Sequence, residues 1–150
     1  MAFYTQEARQ VNLEQLIDSL KSSPAFMENV TRWETIPARP ARLAAFPPEI
    51  DARIPAMLRE RGVHSLYTHQ RQALDCALAG RDFVVVTPTA SGKTLCYNLP
   101  VLNSILQNED TRALYLFPTK ALSADQAHEL YEMVEALDVP IKAYTYDGDT

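Results

Sequence analysis

Apolar positions in residues 12–20 recur on one helical face, at Leu13, Leu16, Ile17 and Leu20, with Asn12 and Gln15 spaced like a capping box. The spacing predicts a short amphipathic helix. From 24 to 48 the periodicity breaks, because Pro37, Pro40, Pro47 and Pro48 forbid a long helix, while Arg32, Arg39 and Arg42 make the stretch mildly basic. Phe26, Trp33, Leu43 and Phe46 suit an ordered arm anchored by Trp33; a flexible linker is the alternative. Helical spacing resumes at Ile50, Ile54 and Leu58, with Gly62 as a C′ stop and Pro55 either kinking the helix or occupying its first turn. A further helix is expected from a Thr68 cap to Ala79, with Leu74, Ala77 and Leu78 inward and Gly80 ending it.

The rest of the chain alternates between apolar runs and helical stretches. Residues 83–87 form a short apolar run that reads as a strand, and the helical stretch after it reaches about Gln107, burying Leu95, Leu99, Leu102 and Leu106 with a bend at Pro100. Residues 113–117 and 141–146 read as second and third strands, separated by a helix over 121–137 with Leu122, Leu130, Val134 and Leu137 available for the core. Strands alternating with helices predict an α/β fold, a parallel sheet with helices on its faces joined by right-handed crossovers. Residues 1–46 form a helical and Pro-rich arm in this reading, and 47–150 the body of the domain.

Composition narrows the function classes. With 150 residues, 47% hydrophobic and 22% charged, the chain has the makings of one ordinary globular domain. No apolar stretch has membrane-spanning length and the start lacks a signal peptide's pattern, so a soluble, cytoplasmic protein without a membrane partner is expected. A formal charge of −5 gives no global attraction for nucleic acid, so any such contact must be local. Cys76 and Cys96 lie in apolar helical patterns without metal-ligand spacing, and His64, His69 and His128 are scattered, which argues against a zinc site here.

The chemistry concentrates between the first strand and its helix, where residues 87–94 read T-P-T-A-S-G-K-T. Backbone N–H groups of Thr89, Ala90, Ser91 and Gly92, joined by the orphan donors of Lys93, Thr94 and Leu95 at a helix start, can nest a triphosphate. Lys93 would reach the β- and γ-phosphates, and the Thr94 hydroxyl would join the coordination of Mg²⁺. The match to G-x-x-x-x-G-K-[ST] is incomplete: Thr87 replaces the first glycine, and Thr87 and Ala90 predict ordinary backbone regions where they stand. A chance G-K-T in a surface turn would leave the flanking hydrophobic strand and helix without explanation. Upstream, L-Y-T-H-Q at 66–70 places a glutamine amide, Gln70, that can bond adenine bidentately, with Tyr67 beside it for stacking; the plainer alternative is the start of a surface helix. Pro118, Thr119 and Lys120 follow the second strand, where open α/β sheets place ligands, and with the next helix's amides could hold a nucleic-acid phosphate; a stopped strand with a solvated lysine is the alternative. Gly148, in Y-D-G-D-T at 146–150, permits close backbone approach, though D-G-D is also an ordinary turn.

In order and spacing, these segments resemble the Q-type motif, motif I, motif Ia and a following DNA-contact loop of superfamily 2 DEAD/DEAH-box helicases. The wording L-Y-T-H-Q, T-P-T-A-S-G-K-T-L-C-Y-N-L-P-V-L, A-L-Y-L-F-P-T-K-A-L and Y-D-G-D-T is similar to the bacterial mitomycin-repair (MrfA-like) DNA helicases, over roughly residues 47–150. The resemblance implies the first part of a RecA-like domain in an ATP-driven 3′→5′ DNA-repair helicase. ATP and Mg²⁺ would be its cofactors and single-stranded or 3′-tailed DNA its partner. Gln70 would read adenine, Lys93 and Thr94 would serve phosphate and Mg²⁺, and Thr119 and Lys120 would lie near the strand. Ala90 departs from the glycine common in the wider helicases. Zinc would belong only to a C-terminal region beyond these residues.

No D-E-x-H or D-E-A-D string occurs, nor a second RecA-like domain with its arginine finger, so the chain reads as an N-terminal fragment whose sheet has a gap. Turnover by residues 1–150 alone is therefore not expected. A non-catalytic nucleotide-binding module and a small P-loop kinase or NTPase remain as alternatives; the latter needs a lid and catalytic arginines for which this length leaves little room.

Overall fold

The computed structural model describes residues 12–148, and the chain divides into two compact units, Met1–Arg39 and Pro40–Thr150. In the first unit, helix α1 (Leu13–Ser22) begins as its sequence demands: Asn12 Oδ1 accepts the Gln15 N–H at 2.8 Å, and Gln15 Oε1 accepts the Asn12 N–H at 3.3 Å. The short helix α2 (Pro24–Met27) has Pro24 in its first turn, where a missing N–H costs nothing, and Ser23 as its cap. The Lys21 ammonium lies 4.9 Å from the centre of the Trp33 ring, so the anchor expected for the arm is used locally.

The second unit is a helical layer with very little sheet. Strand β1 (Leu43–Ala44) pairs antiparallel with β2 (Leu66–Tyr67), and Thr68 N–H donates to Arg42 O at 3.0 Å beyond it. Helix α3 (Arg53–Glu60) carries Pro55 in its first turn rather than at a kink, and Asp51 Oδ1 accepts the Arg53 N–H at 3.0 Å at its start. Gly62, at φ +81°, ends it in the left-handed region that only glycine adopts cheaply. Helices α4 (Thr68–Leu78), α5 (Lys93–Gln107) and α6 (Lys120–Leu137) follow. Ile54 and Leu58 from α3, Leu66 from β2, Leu74 from α4, Leu99 and Leu102 from α5, and Met133 and Leu137 from α6 meet in one buried cluster. The apolar periodicity of each helix thus delivers its own stripe to a shared core. On α6 that stripe lies toward the C-terminal half, and Leu122, expected inside, stays exposed.

The expected parallel sheet is not formed. Among the described residues the only paired strands are β1 and β2, and their pairing is antiparallel. Residues 83–87, 113–117 and 141–146 run without regular secondary structure, because a strand requires a hydrogen-bonded neighbour and none is paired with them among the described residues. Their side chains still alternate. Phe83, Val85 and Thr87 are half-buried while Val84 and Val86 are each 89% exposed, and Leu114, Leu116, Tyr144 and Tyr146 are likewise open. The continuous apolar runs were read as buried strands; instead one side of each faces out, and an apolar run does not supply a partner.

Tyrosines fix two of these segments to helices. Tyr115 donates its hydroxyl to Asn98 Oδ1 on α5 at 3.0 Å and packs edge-on against Tyr97, while Tyr131 on α6 donates to Ala143 O at 2.8 Å. Burial, and then the neighbouring Tyr97, pushes the Tyr115 hydroxyl up to about 12, so it remains a protonated donor throughout the useful pH range.

Candidate nucleotide and nucleic-acid site

Residues 87–94 close into a compact loop at the start of α5. Lys93 Nζ donates back to Thr87 O at 2.9 Å and Pro88 O at 2.7 Å, and the Thr87 and Ser91 hydroxyls bond each other at 2.7 Å. An ammonium has three donors and no acceptor, so two carbonyls take most of its capacity. Gly92 caps α5 at φ +73°. Ala90, expected in an ordinary backbone region, instead has φ +57°. A left-handed alanine costs about 1–2 kcal/mol, a strain imposed by the tight return of the loop.

The loop is latched to α4. Gln70, only 3% exposed, donates Nε2 to Gly92 O at 2.8 Å and accepts the Tyr67 N–H on Oε1 at 2.8 Å. His69 Nε2 bonds Ser91 O at 3.0 Å, and its ring stacks on Tyr67 at 5.8 Å with 12° between planes. Tyr67 rather than Thr68 is the residue preceding the helix, and the glutamine three positions on reaches back to its N–H in the manner of half a capping box. Gln70 thus sits beside the 87–94 loop, using one of its two N–H groups and one lone pair of its carbonyl. Tyr67 is 44% exposed, with ring surface open to a ligand.

Thr94, in the first turn of α5, donates its hydroxyl to Gln126 Oε1 on α6 at 3.3 Å, and the Tyr97 hydroxyl bonds the same oxygen. Burial pushes the Tyr97 hydroxyl up, with the Thr94 hydrogen bond opposing it, and burial likewise raises the adjacent Cys96 thiol against the pull of Lys93. With its proton committed to Gln126, the Thr94 oxygen has its lone pairs left over, which suits a hard cation. No group of three or more His, Cys, Asp or Glu side chains able to hold a metal occurs among the described residues.

Two turns back, at the start of α6, Thr119 is the N-cap and its hydroxyl accepts the Leu122 N–H at 3.2 Å. Lys120 opens the helix beside the exposed Pro118, and a Cβ built on Gly148 would stand 3.9 Å from Lys120 Nζ. The structure thus brings Lys120 and Gly148 together from segments far apart in sequence. Asp149 and Thr150 of the same motif lie outside the described residues.

Two site residues were not singled out from the sequence. Gln126 falls four positions after Leu122 and four before Leu130, a polar residue on the apolar stripe of α6, and that break in the stripe was the available signal. His69 carried none, since its bond is to a backbone carbonyl.

Comparison with known proteins identifies the family. Residues 67–150 match the family described as DEAD/DEAH box helicase. Over 139 residues the chain is 53% identical to the ATP-dependent helicase YprA of Bacillus subtilis (strain 168), covering 93% of this chain and 18% of that one. It is 31% identical to the ATP-dependent helicase hrq1 of Schizosaccharomyces pombe, covering 93% of this chain and 14% of that one. Among solved structures, the DUF1998 helicase MrfA bound to DNA and AMPPNP superposes with a TM-score of 0.78 at 53% identity, over 93% of this chain and 19% of that one. The chain spans about a fifth or less of the length of these relatives. The match over more than half its residues, together with these relatives, places the chain in the DEAD/DEAH box helicase family.

Proposed function

We propose that these residues are the ATP- and nucleic-acid-binding portion of an ATP-dependent DNA helicase of the repair type, moving 3′→5′. The observation that carries the reading is the Lys93 ammonium, held at 2.9 and 2.7 Å on the Thr87 and Pro88 carbonyls across a loop that opens a helix. Phosphate oxygens are stronger partners for an ammonium than neutral carbonyls, so a nucleotide draws Lys93 off them by a charge-assisted exchange. The amides of Thr89, Ala90, Ser91 and Gly92 and those of Lys93, Thr94 and Leu95 receive the phosphates at the positive end of the α5 dipole. Gln70 reads the adenine edge with its remaining N–H and lone pair, Tyr67 stacks on the ring, and Thr94 offers its oxygen to the Mg²⁺ that arrives with the nucleotide. When bound, that ion draws charge from the transferring phosphoryl group.

Nucleic-acid backbone is held at the start of α6 by Lys120, by the amides after Pro118 and Thr119, and by close approach at Gly148. These contacts are to phosphate, so they position a strand without reading its sequence. The solved relative bound to DNA and AMPPNP supports both halves of the reading. The test is phosphate release by the full-length protein with and without single-stranded DNA. DNA-stimulated hydrolysis that is lost in Lys93→Ala is the expected outcome, and residues 1–150 alone should show none. DNA-independent turnover indifferent to Lys93 would defeat the proposal.

A further inference from the structure

The Thr94 hydroxyl is a rotor, and an unheld rotor must be turned, lone pairs first, by the arriving cation at a cost in ordering. Here it is held. Its 3.3 Å bond runs to Gln126 Oε1 on a different helix, and the Tyr97 hydroxyl, one turn along α5, converges on the same oxygen. Two hydroxyl donors meeting on one amide oxygen fix that oxygen's position and send both protons toward it. Gln126 lies in the second turn of α6, whose other end is embedded through Met133, Val134 and Leu137, so this acceptor is mounted on a rigid element.

We propose that Gln126 is a positioning residue for metal-bound nucleotide: by accepting the Thr94 proton it turns the Thr94 lone pairs toward Mg²⁺. The proposal rests on the phosphate-loop reading above and deepens it, because Gln126 touches neither nucleotide nor metal and acts only through Thr94. Groups that orient a metal's ligands commonly change metal affinity by about 10–100-fold when removed. With Tyr97 still nearby to hold the rotor in part, the lower end of that range is expected. Binding that does not involve the cation should be untouched.

The experiment titrates a fluorescent ATP analogue into the full-length protein, in excess EDTA and over a series of Mg²⁺ concentrations. Gln126→Ala should bind as tightly as the unmodified protein in EDTA, which also shows that the site is folded. The Mg²⁺ concentration giving half of the metal-dependent tightening should rise about tenfold. Gln126→Glu keeps the size and has only acceptor oxygens, so it should retain the metal-dependent tightening. Three results overturn the proposal: unchanged Mg²⁺ dependence in Gln126→Ala, equal loss of binding in EDTA and Mg²⁺, or loss of the tightening in Gln126→Glu. The last would mean that the amide nitrogen, donating to the hydroxyls, makes the contact. Absence of binding by the unmodified protein in both buffers defeats the nucleotide reading itself, and this proposal with it.

Discussion

Gly92→Ala isolates the contact between the phosphate loop and α4. A Cβ at this position would stand 2.6 Å from Gln70 Nε2, and the backbone there has φ +73°. The left-handed conformation alone costs a non-glycine residue about 1–2 kcal/mol. To reach ordinary contact the amide must withdraw by roughly 0.8 Å, yet it is buried and tied at both ends, to Tyr67 N–H and to Gly92 O, each at 2.8 Å. Withdrawal breaks the bond to Gly92 O, and an unsatisfied buried partner adds about 1–3 kcal/mol. Gly92→Ala should therefore cost about 2–5 kcal/mol, the sum of these two terms. The clash has a single cause, so a double-mutant cycle can separate it from the backbone term. In a Gln70→Ala background the same glycine change should cost only the 1–2 kcal/mol of left-handed backbone, roughly. Urea unfolding of residues 1–150 followed by far-ultraviolet circular dichroism gives all four corners. Equal cost in both backgrounds, within about 0.5 kcal/mol, would refute the contact.

Three further outcomes follow from other contacts. Arg53, through its side chain and then its backbone N–H, holds the Asp51 carboxyl at about 2 instead of 3.8; the folded state therefore favours the ionised form, with a benefit complete above the unfolded value and lost as pH falls toward 2. Because Arg53 is half exposed, solvent screening keeps this contribution small. Asp51→Asn should lower the urea midpoint near neutral pH, by a margin that shrinks as pH falls from the unfolded value through about 2, whereas a pH-independent difference would contradict the assignment. Tyr115→Phe leaves the side-chain Oδ1 of Asn98, a residue 1% exposed, without its 3.0 Å partner and should destabilise by about 1–3 kcal/mol in the same unfolding assay; no change would mean that the bond contributes nothing. Gln70→Ala should narrow the preference for ATP over GTP in competition binding, and a wild-type protein that takes GTP equally well would remove the adenine role.

Helices were legible in this chain because each announces its own ends and its own buried face. Asn12 and Gln15 marked the start of α1, Gly62 the stop of α3, and the G-K-T string the point where α5 begins. The sheet was not legible in the same way. Val84 and Val86 alternate with Phe83 and Val85 as a strand should, but pairing is a long-range property, and the pair that forms, Leu43–Ala44 with Leu66–Tyr67, is too short to carry a periodic signal. In the candidate site, Lys93 and Gln70 were nominated by residue type and spacing. The left-handed Ala90 was hidden because strain at one loop residue is set by closure of the whole loop, here by the Lys93 bonds to Thr87 and Pro88.

The central claim, that residues 87–94 receive the phosphates of ATP through Lys93, is tested most directly by titrating a fluorescent ATP analogue into this chain and into its Lys93→Ala form. The unmodified chain should bind saturably, if weakly, and Lys93→Ala should abolish the signal. Equal affinities in the two forms would contradict the account.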